Sequence, residues 1–129
     1  MNKNVMRIGL ALAGTVAAVA VNTGSAWAAE GSHLASTGPC RITQTIYLSG
    51  GHDYQKYAMS VSGGNGTGYC SGYIETVHSG VTSYQLGHSI SSGSYTSGSV
   101  YDGPGYNERV CTEYHYGTSS VSTACGVWN

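Results

Sequence analysis

The chain has 129 residues, 20 of them Gly and 11 Tyr with no Phe, and only 9% are charged. That is about one domain, and its few Lys and Arg residues are scattered, which excludes nucleic acid as a partner and argues against an anionic membrane surface. Four cysteines in so short a chain read as two disulfides, provided the chain is exported.

The first residues supply that condition. Lys3 and Arg7 precede an uncharged apolar run from Ile8 to Val21, and Ser25-Ala26-Trp27-Ala28-Ala29 follows with small residues at the cleavage positions. This pattern predicts a cleaved signal peptide over 1–28 and a secreted product; the run is too short to span a bilayer. Beyond it, Arg41, Lys56 and Arg109 face six acidic residues, a net charge of −3 with neutral His. Residues 29–39, AEGSHLASTGP, have no periodicity and read as a flexible leader.

From Cys40 the pattern is strands and turns, so 40–129 is the folded domain. Ile42, Ile46 and Leu48 share a face interrupted by Gln44, and Gly50-Gly51-His52-Asp53 turns the chain into Tyr54 to Ser62, where Tyr57, Met59 and Val61 alternate with Lys56, Ala58 and Ser60. GGNGTG at 63–68 is a turn needing positive φ, and its Asn65-Gly66-Thr67 matches a glycosylation sequon. Ser79-Gly80 separates two further runs, Tyr69 to His78 and Val81 to Ile90. Ser91 to Gly98 is an edge strand or a loop, and Asp102-Gly103-Pro104-Gly105 is a turn. The end, Glu108 to Asn129, reads as a hairpin centred on Thr118, which sets Cys111 opposite Cys125 and leaves Cys40 for Cys70. Six to eight short strands at this spacing predict an all-β, small antiparallel β-sandwich stapled by two disulfides. Ile, Leu, Val and Met number fifteen beyond the signal peptide, so tyrosine must fill the core and the disulfides must carry stability.

Tyrosine among abundant Ser and Gly is also the composition of recognition surfaces. Tyr54, Tyr57, Tyr101 and Tyr106 flank turns and are the candidate partner-binding residues. Five histidines raise metal or acid–base chemistry, but Cys-x-x-Cys, His-Glu-x-x-His and Gly-x-Ser-x-Gly are all missing. No metal, cofactor or catalytic residue is therefore expected. The one enzymatic alternative is a small hydrolase using Glu113 and His115, which share a strand face, with an acid from His52-Asp53 or Asp102.

With its export signal, paired cysteines and Gly/Ser/Tyr-rich β pattern, the chain resembles small exported proteins of actinobacteria. Among these, tendamistat-like α-amylase inhibitors act through a Trp-Arg-Tyr triplet that is missing here. In microbial βγ-crystallin-type proteins the aromatic corner ends in Gly, where Tyr101 to Glu108 has Glu. In size, export and leader the chain is similar to the adaptor subunit of secreted umbrella-like toxin particles. What the resemblance implies is a secreted, non-enzymatic protein that binds another secreted protein, as an adaptor in an extracellular, antibacterial toxin assembly or as an inhibitor. A carbohydrate or cell-wall binding module is the alternative, since tyrosine rings also stack on sugars.

Overall fold

The computed structural model describes residues 30–63 and 68–129; the signal peptide expected over 1–28 and the sequon match at Asn65 lie outside them. Among the described residues there are nine strands and no helix: β1 (Gly31–Thr37), β2 (Cys40–Ser49), β3 (His52–Val61), β4 (Gly68–His78), β5 (Val81–Ile90), β6 (Ser94–Thr96), β7 (Val100–Asp102), β8 (Tyr106–Tyr116) and β9 (Ser120–Cys125). All pairings are antiparallel. One sheet runs β1-β2-β3 with β6 and β7 sharing the far side of β3, and the other runs β5-β4-β8-β9.

This is the two-sheet, doubly stapled all-β fold that the alternation predicts. Cys40–Cys70 joins β2 to β4 and so ties sheet to sheet, while Cys111–Cys125 is a cross-strand pair between β8 and β9, in the register set by the turn at Thr118. The strand count exceeds the expectation for two reasons. Within the stretch expected to be a flexible leader, Gly31–Thr37 is instead a strand that pairs with Ile46 through Cys40 along β2. Its small side chains bury only Ala35, so backbone hydrogen bonds rather than an apolar pattern hold it, and no periodicity shows in the sequence. The far side of β3 is taken by two three-residue strands instead of one. Between them the Ser97 hydroxyl accepts from the Tyr57 amide, and Ser97 N–H donates to Tyr57 O, which keeps the ladder satisfied across the gap.

The space between the sheets has an apolar end and a polar end. Ile42, Met59, Ile74, Val110 and Tyr57 surround the Cys40–Cys70 bridge. Gly72 faces them, and a Cβ there would come within 3.0 Å of Tyr57 and Ile42. That close approach lets the Tyr57 hydroxyl lie 3.1 Å from Gly72 O. At the other end Gln44, the apparent interruption, donates to Gln55 Oε1 at 2.9 Å, Gln55 donates to Glu108 Oε2 at 2.9 Å, and Thr76 donates to Glu108 Oε1 at 2.9 Å. Gln85 of β5 donates in turn to Thr76. A buried amide without partners is costly, and this chain removes the cost by linking five strands through mutual hydrogen bonds. Residues 126–129 close that end: Gly126 N–H and Asn129 N–H donate to Val110 O and Glu108 O, and Gln44 bridges to both backbone groups of Val127. Leu48, on the same face as Ile42 and Ile46, is exposed at the end of the β2–β3 hairpin.

Candidate functional site: the open side of the sandwich

The facing strands leave one lateral side of the sandwich uncovered. β5 is the last strand of its sheet, and the strands opposite it, β6 and β7, have three residues each against its ten. As a result no residue of β5 is fully buried. Val81 is 68% and Tyr84 66% exposed, and Leu86 is 40% exposed. VTSYQLGHSI carries neither Lys, Arg, Asp, Glu nor Pro, the residues with which natural edge strands usually discourage pairing. A bulge interrupts the register between Gly72 and Ile74 of β4, opposite Leu86 and Gly87, and Leu86 takes φ of 51°. Val81 to Gln85 is thus a regular, free five-residue edge.

β5 divides this side into two recesses, because successive side chains point to opposite faces. Below it, toward the other sheet, a recess of about 460 Å³ is lined by Gln85, Leu86, Val100, Tyr101, Tyr106 and Glu108, with Ser99 at its margin. Above it, on the outer face, a recess of about 410 Å³ is lined by Tyr73, Tyr84, Gly87 and Glu113. The rings of Tyr73 and Tyr84 meet edge to face, 5.3 Å apart at 85°. Tyr73 donates its hydroxyl to Glu113 Oε1 at 2.9 Å. Partial burial and this bond to a carboxylate push the Tyr73 hydroxyl pKa up, so it stays a donor across the physiological range.

Three of the four tyrosines singled out from the sequence are at the surface here. Tyr101 and Tyr106 are half-exposed walls of the lower recess, and Tyr54 supports Tyr101 edge to face at 5.7 Å while stacking on Tyr47. Tyr57 is a correction: it is wholly buried, with its hydroxyl donating to Gly72 O and Leu86 O. In a chain without Phe the core needs an aromatic ring, and two backbone carbonyls satisfy its polar end. Burial pushes its pKa up to about 12. The sequence reading missed Tyr84 and Tyr73; the uncharged run Val81 to Ile90 was the signal that could have found them.

The hydrolase constellation does not assemble. His115 Nε2 is 3.1 Å from Glu113 Oε2 but off the line of a hydrogen bond, and its ring stacks on Tyr69 at 4.4 Å. Asp102 lies elsewhere, buried beside Glu108 and accepting from Asn129 Nδ2, and Asp53 is its ladder partner. Glu108 faces inward on β8 and Glu113 outward, so no turn acid reaches His115. Burial and the neighbouring Glu108 carboxylate push Asp102 up to about 6, with the Asn129 hydrogen bond opposing. Glu108 is also raised by burial, against the bonds from Gln55 and Thr76.

No family model, curated protein or solved structure matches this chain.

Proposed function

We propose that this chain is a secreted, non-enzymatic binding protein that works through protein–protein contacts, and that an extended strand of another secreted protein docks on β5. The observation that carries this reading is the free β5 edge: uncharged, regular from Val81 to Gln85, exposed on both faces and flanked by two tyrosine-walled recesses. A strand added there would satisfy the outward backbone groups, and its alternating side chains would enter the two recesses in turn. The disulfides favour such a role, since a pre-ordered edge loses little entropy on docking, and they fit an oxidising, extracellular environment. An adaptor subunit in an extracellular toxin assembly, or an inhibitor, would use such an edge.

The test is affinity capture from the producing organism's culture supernatant with residues 29–129 as bait, beside a Val81→Lys/Ser83→Lys bait with a charged edge. The expected result is one defined protein retained by the first bait and lost from the second. Retention of cell-wall polysaccharide with no protein would overturn the reading in favour of the carbohydrate module.

A further inference from the structure

Building on the docking reading, we infer that the outer recess beside β5 is a site for a cationic side chain, a lysine ammonium presented by the partner's strand. Its walls are two tyrosine rings set nearly at right angles, 5.3 Å apart, and its polar group is the Glu113 carboxylate. An aromatic corner backed by a carboxylate attracts cations, because the ring faces are the negative ends of their quadrupoles and the acid adds a full charge.

The charges around the recess agree. Among the described residues the basic group within ion-pair distance of Glu113 is His115, at 3.1 Å. Arg109 is taken up by Glu75, the cross-strand partner of Tyr84, at 2.6 Å, and lies 4.2 Å from the centre of the Trp128 ring. The recess is therefore negative on balance and holds no Lys or Arg of its own. The Tyr73 hydroxyl orients the carboxylate by donating to Oε1, which leaves Oε2 beside His115 Nε2. Gly87 leaves the rim open, with nothing within 4 Å of where a Cβ would stand. Tyr84 is on β5 itself, so a strand paired with β5 would carry its outward side chains past this corner.

The site can be tested without the partner. Nα-acetyl-lysine N-methylamide, its norleucine counterpart and choline are titrated against residues 29–129, following the ring protons of Tyr73 and Tyr84 by NMR. The lysine amide should give saturable shifts at both rings, bind about fivefold or more tighter than the norleucine amide, and lose that preference in Glu113→Gln and Tyr84→Ala. Equal binding of lysine and norleucine amides, or a preference that survives Glu113→Gln, would overturn the proposal. Choline binding tighter than the lysine amide would overturn the assignment to a protein side chain. The two failures are separable: lysine binding that persists in Val81→Lys/Ser83→Lys while capture finds no protein leaves the recess standing and removes the edge docking.

Discussion

The two lateral sides of the sandwich are made of strands of similar character and have opposite fates. β1 and β9 are short, small-residue strands that meet at one side, where Thr37 Oγ1 and Ser122 Oγ lie 2.6 Å apart and the Cys111–Cys125 bridge fastens β9 to β8. β5 is longer than either, yet it stands open. The difference lies in what the opposite sheet supplies: β1 is a continuous strand facing its counterpart, whereas the strands across from β5, β6 and β7, have three residues each. An edge is exposed by its partner sheet's shortness as much as by its own sequence.

Three ties hold β5 to the core and the sheet opposite: the Tyr57 hydroxyl donating to Leu86 O, His88 stacked on Tyr95 at 3.7 Å, and Ile90 packed against the buried cluster. The sharpest test of the comparison is to cut the first. Tyr57→Ala should cost about 3–5 kcal/mol by opening a cavity among Ile42, Met59 and Gly72, measured by chemical denaturation. Tyr57→Phe removes only the hydroxyl. It should cost about 1–2 kcal/mol and speed amide exchange in β5 while β1 and β9 stay protected.

On the closed side, Cys111→Ser/Cys125→Ser opens a loop of sequence separation 14 and should cost about 3 kcal/mol. Amide exchange should then rise in β9 and β1 and leave β5 as it was. Uniform exchange across both sides after either change would show that the sandwich loosens as one unit and would remove the distinction.

A pH-dependent effect comes from the polar end. A carboxyl whose pKa is higher in the folded than in the unfolded chain favours the fold when protonated. Stability should therefore fall as pH rises from the ordinary value of 3.8 through about 6 for Asp102, and level off above, by up to about 3 kcal/mol. Glu108, also raised, acts with the same sign. Thermal melts between pH 4 and 7 should show this slope, and Asp102→Asn should reduce it to the Glu108 contribution, since the amide keeps an acceptor for Asn129 Nδ2.

How much of this was legible in the sequence follows from the range of each interaction. Period-two alternation showed that Tyr57 and Met59 share a face, and the symmetry of Cys111 and Cys125 about Thr118 set the last hairpin, because both are local. Gln44 looked like a break in an apolar face. It is instead the first member of a network whose other members, Gln55, Thr76, Gln85 and Glu108, come from four different strands.

By itself, then, the sequence determined an all-β chain, the places of its longer strands from Cys40 onward and cysteines poised to pair, since turn chemistry, alternation and spacing act over a few residues. Only the tertiary structure decided which tyrosines are inside, that residues 31–37 form a strand, and that Tyr73, Tyr84 and Glu113 share a recess on an open edge. Those outcomes depend on which strand lies across from which and how far it reaches, and that is settled by packing between segments distant in the chain.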